Sequence, residues 1–139
     1  MSKYPSSKML KDVKMYYLEK YMESPDEVKA QEIIQDLMKD YRTDEMAMYD
    51  VGTYYLVSGS KMLKDSASLT DGIRMEAMKN IDKCFDYYTG IFIAGPWKAK
   101  SEIYYQMKNK EKALECINKA LAIWDKESYR KQKDKIEKL

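Results

Sequence analysis

Side chains suited to nucleophilic or acid–base chemistry are scarce in this chain of 139 residues. Histidine is absent, and the two cysteines, Cys84 and Cys116, have no histidine or second cysteine near them in the sequence. A thiol needs such a neighbour to act as a nucleophile or to bind zinc. Cys84 lies on an apolar stripe and is expected to be a small core residue, whereas Cys116 lies one place beside its stripe and is expected to be partly exposed. Both are expected to be free thiols, because residues 1–14 carry no secretory signal.

Two acidic pairs, Asp26-Glu27 and Asp44-Glu45, are the remaining candidates for general acid–base chemistry. Both pairs lie where a helix is expected to begin, and negative charge there interacts favourably with the helix dipole. The sequence contains no glycine-rich phosphate loop, zinc-ligand spacing or nucleophile elbow. We therefore expect a protein that is not an enzyme and that needs no metal or cofactor.

The composition is typical of an ordered helical protein. Hydrophobic residues make up 45% of the chain and charged residues 35%, with only five glycines and three prolines. So few helix breakers favour long helices over a many-turned β architecture. The net charge of +2 argues against nucleic acid as the main partner. No apolar run, Ile91–Ala94 included, approaches the ~20 residues of a membrane span, and we expect a cytoplasmic location.

Capping and turn signals divide the chain into seven predicted helices. These signals are Ser24-Pro25-Asp26-Glu27, Thr43-Asp44-Glu45, Ser68 with Asp71, Gly95-Pro96-Trp97 and Lys108-Asn109-Lys110. The helices are predicted over residues 6–22, 25–41, 44–63, 70–88, 96–107, 111–124 and 127–138. Short turns between them indicate antiparallel hairpins.

The second helix of each of three hairpins repeats one apolar pattern. An alanine is followed by apolar residues at i+4, i+7 and i+8 and by an aromatic residue at i+11, which makes a single stripe on a helix. The three copies predict an internal repeat. They are Ala30, Ile34, Leu37, Met38 and Tyr41; Ala77, Ile81, Cys84, Phe85 and Tyr88; and Ala113, Ile117, Ala120, Leu121 and Trp124.

The first helices of the second and third hairpins share a small residue between larger ones. Met48, Gly52 and Tyr55 match Trp97, Ser101 and Tyr104 in spacing. The small residue in the middle is expected to let a neighbouring element approach closely, with the aromatic rings filling the space around it.

Residues 94–127 resemble a tetratricopeptide repeat (TPR), whose pattern is W-x2-L-G-x2-Y followed by A-x3-F. The matching residues are Trp97, Ser101, Tyr104, Ala113, Ile117 and Ala120. Lys100, Ser101 and Asp125 stand where leucine, glycine and proline are usual. Residues 45–90 and 11–43 resemble the repeat less closely. The resemblance implies an all-α, right-handed stack of about three antiparallel hairpins (6–42, 44–89 and 94–125) with a capping helix at 127–138, forming one domain over residues 1–139.

The resemblance also implies a concave groove lined by the first helix of each hairpin, in which TPR proteins hold peptides or helices of partners. The corresponding residues are Met15, Glu19, Met22, Met46, Tyr49, Thr53, Leu56, Lys98, Glu102 and Tyr105. Met and Tyr suit an adaptable contact surface. Core packing is the better explanation for any single one of them at helical spacing, and the resemblance favours a groove for the set as a whole. Lys98 is the one basic residue of this set, so a clamp for a terminal carboxylate is not predicted.

Two segments depart from the repeat. Between Tyr55 and Ala77 the chain has about a dozen residues more than a 34-residue repeat allows, so either the first helix is longer, through Leu63, or a loop projects from the stack. The apolar linker 89–93 is expected to pack against the body.

Three functions follow from these patterns. The leading hypothesis is an adaptor or chaperone-like module that holds a peptide or helical segment of a protein partner. The alternative is a structural subunit of a homo-oligomer or larger assembly, with 58–72 and Ile91–Ile93 as contact sites. Third, the lysine-rich tail after Asp125 could bind nucleic acid or an anionic membrane. Its mixed charges and its stripe at Tyr129 and Ile136 favour a capping helix instead.

Overall fold

A computed structural model describes residues 7–23, 26–65 and 69–139, and within these ranges the regular structure is entirely helical. The all-α prediction is therefore confirmed. The helices are α1 (Ser7–Glu23), α2 (Glu27–Asp40), α3 (Glu45–Asp65), α4 (Asp71–Cys84), α5 (Ala94–Gln106), α6 (Lys110–Ile123) and α7 (Glu127–Glu137), with a 3₁₀ turn at Gly90–Ile93 before α5.

The residues that begin α2 and α4 differ from those predicted. Asp26 caps α2 by accepting the Lys29 N–H at 3.2 Å, and Thr70 caps α4 by accepting the Ile73 N–H at 3.2 Å. The predicted caps Ser24 and Ser68 lie outside the described residues. The physical reason for the correction is that a cap must immediately precede the first helical residue, so that its side-chain oxygen reaches the N–H three residues on.

α3, α5 and α6 begin within two residues of their predicted starts, but Asp44 and not the predicted Thr43 caps α3. Asp44 accepts the Ala47 N–H at 3.0 Å, and Asn109 accepts the Lys112 N–H at 3.2 Å. Lys108, which precedes Asn109 in the tight turn, has a positive φ of 59°. Pro96 lies in the first turn of α5, where its missing N–H leaves no hydrogen bond unmade.

The extra residues of the second hairpin lengthen its first helix. α3 has 21 residues and reaches Asp65, so the first of the two alternatives is confirmed. α4, in contrast, ends at Cys84 and not at the predicted residue 88. The chain tightens there: the N–H groups of Phe85, Asp86 and Tyr87 each bond the carbonyl three residues back.

Neighbouring helices run antiparallel. Gly52 of α3 lies against Tyr87 and Tyr88 at the end of α4, whereas Gly59 lies against Ala77 and Ile81 near its start. Likewise the Lys112 ammonium lies over the Tyr104 ring and the Lys119 ammonium lies over the Trp97 ring. Later residues of α6 therefore contact earlier residues of α5, as in an antiparallel pair.

The first helices of the first two hairpins run parallel to each other. The Lys11 ammonium of α1 lies 2.6 Å from an Asp44 carboxylate oxygen at the start of α3. Further along both helices, Lys61 donates to the Glu23 carbonyl at 3.1 Å. α1 and α3 therefore lie side by side along their length.

The predicted stripes form most of the core. Their residues in α2, α4 and α6 are buried or half-buried in three clusters, with Leu18, Val51 and Ile103 buried beside them. Two predictions are wrong. Trp124 is 42% exposed, because it follows the last residue of α6 in an extended conformation that turns it off the stripe. Cys116 is buried, since it falls beside Ile117 and Ala120 on the face that α5 covers.

The tail forms the predicted capping helix. α7 packs on α6 and α5 and buries Tyr129 and Ile136 in the cluster that contains Ala113 and Ile117. Its outer face carries lysines and acids in mixed order. The end of the helical array is thereby covered by a polar surface.

Candidate functional site

The predicted groove residues of α1 and α3 lie on two helices that touch. Met15 and Met22 are half-buried and pack against the cluster that contains Leu18 and Val51. Glu19, between them, is exposed. Across from them Met46 is 61% exposed at the start of α3, the highest value for any methionine side chain that the structure describes.

Tyr49 and Thr53, in the middle of the predicted groove, are held by the residues that follow α4. The Tyr49 and Tyr88 rings stack at 5.1 Å with an 8° angle, and Phe92 lies against Tyr49 at 4.6 Å. The hydroxyl groups of Thr53 and Tyr88 share a hydrogen bond of 2.5 Å. Phe92 remains 48% exposed, so this aromatic group forms a surface as well as a contact.

Gly52 makes that arrangement possible, as its small size predicted. A Cβ at this position would lie 2.6 Å from Tyr88 Cε1 and 3.4 Å from Tyr87 Cβ. The Tyr88 ring therefore lies directly on the α3 backbone. Desolvation by burial raises the pKa of the Tyr88 hydroxyl, which keeps it neutral in its bond to Thr53.

A second aromatic pair joins α2, α3 and α4 behind this surface. Tyr55 stacks on Tyr87 at 5.7 Å and its hydroxyl accepts a hydrogen bond from the Gln31 amide at 3.2 Å. The Lys83 ammonium lies 5.3 Å from the centre of the Tyr55 ring. Tyr55, Tyr87 and Tyr88 thus serve to pack α3 against its neighbours.

The remaining predicted groove residues lie elsewhere. Leu56 packs into the cluster around Ile81 and Ile103. Lys98 and Glu102 form an ion pair with each other, and the Lys135 ammonium of α7 covers the Tyr105 ring at 4.6 Å. Among the described residues no hydrogen bond, ion pair or ring contact joins these α5 residues to the groove residues of α1 or α3. Apart from Leu56, six of the predicted residues lie on α1 and α3, which are in contact, and we call this set the α1–α3 groove: Met15, Glu19, Met22, Met46, Tyr49 and Thr53.

Asp50 is a residue of this groove that the sequence pattern missed. It is only 7% exposed, and no hydrogen-bond partner for its Oδ2 atom exists among the described residues. Its carboxyl group lies beside that of Glu19. Burial, together with the Glu19 carboxylate, raises the Asp50 pKa to about 7. The one signal in the sequence is a lone acid inside the otherwise uncharged segment 46–60.

A cavity of about 230 Å³ opens between the α2–α3 turn and the end of α4. Its walls mix methionine and tyrosine with three acids and one arginine. They are Met38, Arg42, Thr43, Asp44, Glu45, Met48, Asp86, Tyr87 and Thr89. Glu45, Tyr87 and Thr89 also line a small adjoining space bounded by Tyr49 and Phe92, so the cavity continues toward the aromatic surface.

The thiols are positioned for packing. Both cysteines are free and buried. Burial raises the pKa of the Cys84 thiol to about 12 and also raises that of Cys116. Across the described part of the chain no three Cys, Asp or Glu side chains come together in a way that would hold a metal ion.

Within the described ranges no helix is both long enough and apolar enough to span a lipid bilayer.

No protein-family model matches this chain, and neither the curated proteins nor the solved structures contain a match.

Proposed function

We propose that the protein is a non-catalytic binding module that holds a peptide or helical segment of a partner in the α1–α3 groove. The observation that carries the proposal is the exposure of apolar side chains there. Met46 is 61% exposed and Phe92 48% exposed, next to Tyr49 on a rigid aromatic support. Exposed Met and aromatic side chains grouped on a firm base are typical of protein-contact surfaces.

The proposal includes a TPR-like stack. Two features support it: the successive antiparallel helices, and the buried alanine and isoleucine residues at equal spacing in α2, α4 and α6. In such a stack α1 and α3 face the inner side, and the α7 helix closes one end. A module of this architecture would act as an adaptor or in a chaperone-like role.

The test is a capture experiment in extracts of the cells that make the protein. Immobilised wild type is compared with Met46→Glu, which introduces a charge at the most exposed apolar position of the groove. Met75→Glu is the matched control, because Met75 is also an exposed methionine, 43%, but lies on α4 outside the groove. Circular dichroism is used to check that the three proteins have the same helix content.

We expect a protein that wild type and Met75→Glu retain and that Met46→Glu releases. Disrupting a central apolar contact of this kind typically reduces the binding free energy by about 2 kcal/mol or more. Equal retention by all three proteins would rule out the α1–α3 groove as the binding surface.

A second candidate function, the subunit of a homo-oligomer, is favoured by a different face of α1. Leu10, Val13 and Tyr17 lie at i, i+3 and i+7 and are 39%, 44% and 49% exposed. Such a stripe on the outer side of α1 suits contact with a second copy. Sedimentation equilibrium would show an oligomer that Val13→Glu dissociates and that Val28→Glu, on exposed α2 surface, leaves intact. A monomeric wild type at high concentration would exclude this candidate.

A further inference from the structure

Among the described residues, no ion pair joins a lysine or arginine side chain to Glu19 or Asp50. The described lysine side chains of α1 are engaged by acids elsewhere: Lys11 with Asp44 at 2.6 Å, Lys14 with Asp36 at 3.1 Å, and Lys20 with Glu23 at 3.9 Å. None of them reaches Glu19 or Asp50. In the third hairpin Lys98 and Glu102 neutralise each other.

Among the described residues, Glu19 of α1 is the one titratable group that acts on the Asp50 carboxyl. α3 also packs against α2 and α4, but no charged group of these two helices shifts the Asp50 pKa. No described cation within the fold compensates the pair.

A buried carboxyl oxygen without a hydrogen-bond partner is costly, and in native proteins it calls for an explanation. Asp50 follows Met46 by four residues and precedes Thr53 by three, so all three share one face of α3. The Asp50 carboxyl lies within hydrogen-bond reach of the exposed Glu19 side chain of α1. A lysine or arginine side chain that entered beside Glu19 would supply the missing donor to both carboxylates.

We propose that the α1–α3 groove selects a partner segment with a basic side chain, which inserts between Met46 and Met22 and binds the Glu19 and Asp50 carboxylates. The inference rests on the proposed binding function and specifies the chemistry of the partner. Apolar residues of the same segment cover Met46 and Phe92. The selected sequence is therefore a basic, amphipathic peptide.

The basic side chain also makes the affinity depend on pH. Asp50 is protonated in the free protein below about pH 7, and a bound ammonium or guanidinium group favours its ionised form. Asp50 then releases its proton to the buffer when the peptide binds. Affinity is expected to rise roughly tenfold between pH 6 and pH 8.

The test uses a displayed library of random 16-residue peptides, selected at pH 8 on wild type with Met46→Ser, which removes the apolar side chain without adding charge, as the counter-selecting bait. The enriched peptides are synthesised, and their dissociation constants are measured by fluorescence anisotropy. The variant is Asp50→Asn, which keeps the shape and removes the charge. Glu32→Gln, on exposed α2 surface, is the matched control for general electrostatic attraction.

We expect the enriched peptides to share a lysine or arginine at a fixed distance from apolar residues. Asp50→Asn, and replacement of that basic residue by glutamine, should each weaken binding roughly 10- to 100-fold. Glu32→Gln should leave it unchanged. Peptides that depend on Met46 but carry no recurrent basic residue, or that bind Asp50→Asn equally well, would overturn this inference and leave the proposed function standing. A library that yields no Met46-dependent peptide would overturn both.

Discussion

At the scale of single residues, the groove depends on contacts with little room for change. Gly52 lets the Tyr88 ring lie on the α3 backbone, and Tyr88 in turn fixes Tyr49 and Thr53. The need for a small residue here could be predicted from the match of Gly52 with Ser101. The identity of the group that fills the space could not, because it depends on how the chain turns after α4.

Gly52→Ala tests this contact. The added methyl group would overlap the Tyr88 ring at a cost of about 1–3 kcal/mol, which exceeds the gain of about 0.5–1 kcal/mol from removing a helical glycine. The free energy of unfolding in urea is therefore expected to fall. Gly72→Ala is the control, since its nearest neighbour would be Thr70 Oγ1 at 3.6 Å. An unchanged or higher stability of Gly52→Ala would contradict the close approach.

Asp50 gives stability a pH dependence of known sign. Its pKa is raised from 3.8 to about 7 in the folded protein, so between these values the folded state holds a proton that the unfolded state has lost. Stability attributable to this group therefore decreases as pH rises from about 4 to 7. Asp50→Asn is expected to raise the melting temperature by a few degrees at pH 8 and by a smaller amount at pH 5, where only part of the stability difference has developed.

Thermal unfolding of Asp50→Asn and wild type at those two pH values measures the difference. A variant that melts lower than wild type at pH 8 would show that the Asp50 carboxylate has a stabilising partner. A rise in melting temperature would also establish that any loss of peptide binding by this variant is not a loss of fold.

At the scale of helices, most of the architecture follows from local signals. Capping and turn signals predicted the positions of the helices, and the repeated apolar stripes predicted which faces of α2, α4 and α6 are buried. The end of α4 was predicted four residues too late. The stripe continues through Tyr88, and periodicity alone cannot distinguish an α-helix from a tightened turn that aims Tyr87 and Tyr88 at α3.

Asp44 has two roles at the start of α3: it caps the helix, and it forms an ion pair with Lys11 of α1. Loss of the cap in Asp44→Ala is expected to cost about 1 kcal/mol, and loss of the Lys11 contact adds to this. Asp26→Ala, which removes a cap alone, is the matched variant and should cost less. Chemical denaturation measures the free energy of unfolding of both variants. Equal losses of stability would mean that the ion pair with Lys11 contributes nothing.

The pKa of Asp44 is lowered, chiefly by its hydrogen bond from Lys11. The stability that this carboxylate provides is present at neutral pH. It is lost as pH falls below about 4 toward the lowered value. The difference between wild type and Asp44→Ala should therefore shrink on acidification.

α7 stabilises the end of the array through Ile136, which is fully buried. Ile136→Ala should lower the free energy of unfolding by about 2–5 kcal/mol. Leu139→Ala, at a position 43% exposed, is the control and should change it by less than about 0.5 kcal/mol. Equal effects of the two substitutions would show that α7 does not cover the core.

At the scale of the whole molecule, pairing of helices decides which groove residues act together. The TPR resemblance implied ten positions, and, apart from Leu56, six of them lie on α1 and α3, which pack against each other. Three of the others have partners elsewhere: Lys98 and Glu102 form an ion pair with each other, and Lys135 of α7 covers the Tyr105 ring. The Glu19–Asp50 contact could not be predicted, since it requires the register of α1 against α3, which local sequence does not contain.

The most direct test of the central claim uses the methionine methyl groups as reporters. With ¹³C-labelled methyls, a peptide retained by wild type is titrated into the protein and the chemical shifts are followed by NMR. Binding in the α1–α3 groove predicts shifts at Met15, Met22 and Met46, with Met75, Met78 and Met107 unchanged. The largest changes at Met75, Met78 or Met107, with Met46 unaffected, would contradict the account.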